Sequence, residues 1–200
     1  MDDLHNRALK LEYFTVGYNL VEAFVALFLG GLASSIALIG FGLDSIVESL
    51  SGLVLIWRLK KHGIASVEEE ETIEKKAERF VAVTFLILGA YVLFESVKKL
   101  YFKEAPEPSL PGIILAIVSI IVMPILGFKK YRLGKIIKSR ALVADSKETF
   151  ACSFLSVALL IGLGANYIFG FWQADSLAGL VIVFFLFREG VEGLKESLSQ

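Results

Sequence analysis

Apolar residues gather into six long runs, roughly 12–32, 34–57, 80–101, 110–128, 142–169 and 174–194, and most charges fall between them. A bilayer core needs about 20 helical residues at 1.5 Å rise each, and each run meets or nears that length. None shows the period-two alternation of a half-buried strand. The expected fold class is an all-α membrane protein of six transmembrane helices, forming a single domain over residues 1–200. Gly30-Gly31 is expected to separate the first two helices. Pro106, Pro108 and Pro111 should break the chain between the third and fourth, and Gly170 with Trp172 should mark the turn between the fifth and sixth. Asp175 or Ser176 stands where it can cap the start of helix 6.

Composition agrees with this reading. The chain is 56% hydrophobic, against about 45–50% in soluble domains, and its mean hydropathy is +0.68. The net charge of −1 offers no basic excess for a nucleic-acid partner. A single cysteine, Cys152, excludes an intramolecular disulfide. The first ten residues carry two acids and lack the basic start and short apolar core of a cleavable signal peptide.

The basic residues are lopsided. With the N-terminus placed in the cytoplasm, 16 of the 20 Lys and Arg residues, Lys130 among them, fall in cytoplasmic segments. Only Lys98, Lys99 and Lys103 fall on the other side, and Lys147 lies within the fifth run. Both termini are therefore expected to be cytoplasmic. The acids Glu68 to Glu71, Glu74 and Glu78 read best as the solvated start of helix 3, where they complement its dipole. A metal-collecting loop is the alternative. His5 and His62 sit in cytoplasmic segments and read as bystanders. Trp57, Tyr101 and Trp172 read as interface anchors.

Two carboxylates near the middle of the second run change the picture. Asp44 and Glu48 are four residues apart, so they project from one helical face one turn apart. An ionised acid at mid-membrane costs ~2.5–3.5 kcal/mol on insertion scales, and two on one face repel each other. A cation is the natural compensation. In the fifth run Asp145, Glu148 and Cys152 lie within about 60° of one another around the helix. Glu148 and Cys152 repeat the four-residue spacing. If helices 2 and 5 face each other, Asp44, Glu48, Glu148 and Cys152 supply four O and S donors, a set suited to tetrahedral Zn²⁺ or a similar divalent ion. Asn166 follows on the same face of helix 5 and can line the path to the far side.

These residues resemble the transmembrane domain of the cation diffusion facilitator family over nearly the whole chain. The resemblance implies export of Zn²⁺ or a related divalent metal, usually in exchange for protons. It also implies that the helix 2 and helix 5 pairs bind the ion, with Asp44 and Glu48 matching the first pair and Glu148 and Cys152 the second. Asp145, Glu95 near the end of helix 3, and Trp172-Gln173-Ala174-Asp175-Ser176 opening helix 6 are also similar to the family. This sequence departs from it in placing Glu and Cys on helix 5, where the family has His and Asp. The thiol favours Zn²⁺ or Cd²⁺ over Mn²⁺, and Co²⁺ and Fe²⁺ are further candidates. The family's cytoplasmic domain after helix 6 is expected to be absent, so the homodimer typical of the family would form through membrane helices.

Each residue also has a plainer reading. Glu148 can pair with Lys147 or stay protonated, Cys152 can be a small apolar filler, and Asp145 can cap a helix or pair with Arg140 or Lys147. Glu22, with Asn19 one turn earlier, is a second intramembrane acid and a candidate proton carrier or vestibule group. Glu95 can simply meet Lys98 or Lys99. The functional expectation is a multi-pass transporter of the plasma (inner) membrane, not an enzyme, exchanging a divalent metal for protons by alternating access. The rival is a membrane metal-binding or assembly protein that does not transport. An intramembrane hydrolase is disfavoured, since no helix offers a paired nucleophile and base and no His lies in a span.

Overall fold

The computed structural model describes residues 2–61 and 67–199; His62 lies outside them. Six α-helices follow one another: α1 Asp2–Ala33, α2 Ile36–Lys61, α3 Val67–Phe102, α4 Leu110–Ile136, α5 Arg140–Phe169 and α6 Gln173–Ser199. Each contains its apolar run, except that α2 starts two residues inside its run. Most extend past it at the end bearing the basic residues, because a helix satisfies its own backbone hydrogen bonds and need not stop where the apolar surface stops. Among the described residues, five of the six are long and apolar enough to cross a membrane. The sixth, α6, has the length but carries Asp175, Arg188 and Glu189. The chain is a multi-pass membrane protein.

The connections are short and capped. Ser109 caps α4, its Oγ accepting from the Gly112 amide at 3.2 Å, and Pro111 sits in the first turn, where its missing N–H costs nothing. Ser139 caps α5 in the same way. Gly170 ends α5 in the left-handed region at φ 64°, which glycine adopts without a Cβ penalty. The α1–α2 turn differs from expectation. Gly30 and Gly31 remain inside α1, and the chain reverses at Ser34, whose φ is 50°.

The helices pack most extensively as the pairs α1 with α2, α3 with α6 and α4 with α5; α2 and α5 also meet each other and both touch α6. Their shared core includes Phe41, Val47, Met123, Cys152, Leu155, Leu159, Ile182 and Leu186. Phe24, Phe28, Phe94, Ile121 and Phe154 face outward, as lipid contact requires. Helix association in lipid gains little from apolar burial, so close approach at small residues carries it. At the α5–α6 crossing a Cβ on Gly162 would lie 2.6 Å from the Ala178 Cβ and 3.0 Å from the Ala174 carbonyl oxygen. Neither atom can rotate away.

Gly162→Ala should therefore destabilise the detergent-solubilised protein by about 1–3 kcal/mol. Gly31→Ala, with nothing within 4 Å of its added methyl, should be neutral or slightly stabilising. Thermal unfolding followed by circular dichroism checks the pair; equal effects would contradict the close crossing.

Candidate metal centre

Because α2 and α5 touch, their two acid-bearing faces meet. Asp44, Glu48, Glu148 and Cys152 line one cavity of about 10 Å³, together with Phe85, Ala151, Leu155, Phe185 and Glu189. That is room for about one water-sized particle. Asp44, Glu48 and Cys152 are 8%, 4% and 1% exposed. Thr149 donates to Glu48 Oε1 at 2.8 Å, which fixes the carboxylate and leaves Glu48 Oε2 buried with no hydrogen-bond partner. Glu148 Oε2 is likewise unpartnered. Among the described residues no three His, Cys, Asp or Glu side chains are already gathered into a ligand group. The donors share a cavity without closing on one point.

The cavity adjoins a larger one of about 610 Å³ between α2, α3, α5 and α6. The lining of this vestibule includes Trp57, Arg58, Lys147, Arg188, Glu189 and Glu192. It opens toward the end of the bundle that bears the termini. The opposite end is pinned shut. Asp175 accepts from the Ile36 amide at 2.9 Å and from Ser35 Oγ, so it caps α2 rather than its own helix. A carboxylate at the start of another helix satisfies an orphan amide there and meets the positive end of the helix dipole. Asn166 donates to the Pro106 carbonyl at 3.1 Å, tying α5 to the α3–α4 connection instead of lining an open path.

The remaining buried acids have other partners. Lys130, assigned from its basic neighbours to a cytoplasmic segment, is 1% exposed inside α4. It lies 3.2 Å from Glu12 of α1, bonds Asp145 of α5 at 2.5 Å and donates to Thr149 at 3.3 Å. Asp145 thus serves an ion pair with Lys130 while also lining the vestibule beside Glu148, and it neither caps a helix nor meets Lys147. Glu22 accepts from Tyr18 at 3.1 Å, from Ser45 at 3.0 Å and from Ser119. It is a hub joining α1, α2 and α4. Asn19 is buried on the same stripe of α1, its side-chain amide near Glu48 without a hydrogen bond of normal geometry. Glu95 pairs with Lys98 at 3.3 Å and lies outside the cavity.

Sequence reasoning missed Glu12, Lys130, Thr149 and Glu189. Glu12, Thr15, Asn19 and Glu22 carry a 3-4-3 spacing that puts all four on one helical stripe. Lys130 falls on the face of Met123, Gly127 and Gly134. Those periodicities were readable; nothing local distinguished Glu189.

Lys130→Met would leave Glu12 and Asp145 buried without their counter-charge. It should cost about 3–5 kcal/mol of stability, and adding Glu12→Gln should restore part of the loss. Melting in a fixed detergent, run as a double-mutant cycle, checks this; strictly additive losses would contradict the ion pair.

The profile of the cation efflux transmembrane domain matches residues 13–200. Transmembrane protein 163 of Xenopus laevis is 22% identical over 95% of this chain and 67% of its own. A transporter of Methanocaldococcus jannaschii is 25% identical over 82% of this chain and 59% of its own. A transporter of Synechocystis is also 25% identical, over 96% of this chain and 64% of its own. The chain spans about three fifths to two thirds of the length of these relatives. A match over residues 13–200, on a fold that brings the acid faces of α2 and α5 together, shows that the chain belongs to the cation efflux family.

Proposed function

We propose that the chain carries a divalent metal cation, foremost Zn²⁺, across the membrane in exchange for protons. The observation that carries this reading is the α2–α5 cavity, where four carboxylates, Asp44, Glu48, Glu148 and Glu189, and the Cys152 thiol line space for one particle and two carboxylate oxygens have no partner. Hard oxygen donors with one soft sulfur suit Zn²⁺. Its relatives include proteins named as transporters.

The mechanism is alternating access. The bias of Lys and Arg supports a cytoplasmic position for the vestibule end, and the membrane is taken to be the plasma (inner) membrane. A cation enters the vestibule past Glu192 and Glu189, sheds water and is held by Asp44, Glu48, Glu148 and Cys152. Ligation requires deprotonated donors, so binding releases protons. The opposite state opens the far end by parting Asp175 from Ser35 and Ile36 and Asn166 from Pro106. Protons from that side then compete for the same oxygens and sulfur and discharge the ion. The transporting unit is taken to be a homodimer joined through membrane helices, in keeping with the family.

Zn²⁺ flux into proteoliposomes, read with a metal dye and an internal pH probe, tests this. The wild type should show Zn²⁺ movement with opposite proton movement, and Asp44→Ala should abolish both while keeping its helical signal. Full transport by Asp44→Ala would overturn the site. Stoichiometric Zn²⁺ binding without flux would instead favour a membrane metal-binding or assembly protein.

A further inference from the structure

The small cavity and the vestibule share Phe85, Glu148, Ala151, Phe185 and Glu189. Only Glu148 and Glu189 among these carry side-chain oxygens, so these two carboxylates stand where the small cavity adjoins the vestibule. Glu148 belongs to α5. Glu189 belongs to α6, a helix whose sequence pattern does not mark it as part of the centre. Glu48, 4% exposed, lines the same small cavity with its Oε2 unpartnered. That buried oxygen marks the cavity as a place for a positively charged ligand.

The way α6 is held gives Glu189 a mechanical consequence. At the far end α5 and α6 touch at Gly162 against Ala174 and Ala178. At the other end the vestibule separates them, Ala141 to Phe154 lining one wall and Arg188 to Gly193 the other. There α6 is bound to α3 instead: a Cβ on Gly190 would lie 2.7 Å from Leu86 Cδ2 and 3.0 Å from the Ala82 carbonyl oxygen. The α3–α6 pair is thus a closely packed body, joined to α5 at one end and parted from it at the other.

We propose that Glu189 is a metal ligand contributed by α6, taking the incoming divalent cation together with Glu148, and that its ligation draws the α3–α6 pair toward α5 and narrows the vestibule. The inference rests on the divalent-cation reading above. A helix that must supply an oxygen to the ion senses its arrival directly. Binding energy gained only in the narrowed state is what shifts the population toward it.

Trp57 lines the vestibule and Trp172 lies at the other end of the bundle. Since the chain has two tryptophans, a Trp172→Phe background leaves Trp57 as a lone probe. In nanodiscs, Zn²⁺ binding by calorimetry and iodide quenching of Trp57 with and without Zn²⁺ are measured for this background, for Glu189→Gln and for Glu189→Asp. The proposal expects Zn²⁺ to protect Trp57 from iodide in the background chain. Glu189→Gln should bind Zn²⁺ at least about tenfold more weakly and lose the protection even at saturating Zn²⁺. Glu189→Asp, which keeps the charge, should recover both in part. Unchanged affinity and unchanged protection in a folded Glu189→Gln would overturn the role of Glu189 and leave the transport reading standing. Absence of Zn²⁺ binding by the background chain would overturn the transport reading, and this inference with it.

Discussion

Charge buried where water cannot reach it is the constraint around which this bundle is built. Acids are buried on α1, α2, α5 and α6: Glu12, Glu22, Asp44, Glu48, Asp145 and Asp175. An isolated carboxylate in such a place is costly unless paired, hydrogen-bonded or matched by a bound cation. Each acid therefore poses a question that the packing answers or leaves open. Lys130 answers for Glu12 and Asp145. Three hydroxyls answer for Glu22. The first amide of α2 and Ser35 answer for Asp175.

What stays open is the α2–α5 cavity. Among the described residues the buried cations are Lys99 and Lys130, and neither lines it. Asp44, Glu48 and Glu148 crowd there with Cys152 and Glu189, and Glu48 and Glu148 each keep an unpartnered oxygen. A resident cation, Lys130, and a cavity lined by no buried cation are linked by Thr149, which accepts from Lys130 and donates to Glu48. The fixed charge thereby helps to orient one carboxylate of the candidate site. This is the outer-shell support that ligating groups need.

Much of this was legible in the sequence. The apolar runs located all six helices, and the spacing of Asp44 with Glu48 and of Glu148 with Cys152 placed four donors at one cavity. What failed was whatever depends on a partner helix. Gly30 looked like a turn residue, yet a Cβ there would lie 2.9 Å from Ile39 Cγ1 of α2; it is a packing residue inside α1. Lys130 looked like a loop lysine because Lys129 and Arg132 flank it, and only α1 and α5 reveal its burial. Asp175 looked like the cap of its own helix and caps another. Glu189 sits in a polar stretch at the end of α6, and its place beside the cavity exists only where α6 meets α2 and α5.

The central claim is that carboxylates of α2 and α5 with the Cys152 thiolate hold a single dehydrated ion. X-ray absorption at the zinc edge of the purified, Zn²⁺-loaded protein tests it most directly. The account predicts one sulfur at about 2.3 Å and oxygens at about 2.0–2.2 Å, with the sulfur lost in Cys152→Ser. Imidazole scattering from His5 or His62, or a hydrated shell with no sulfur, would contradict it.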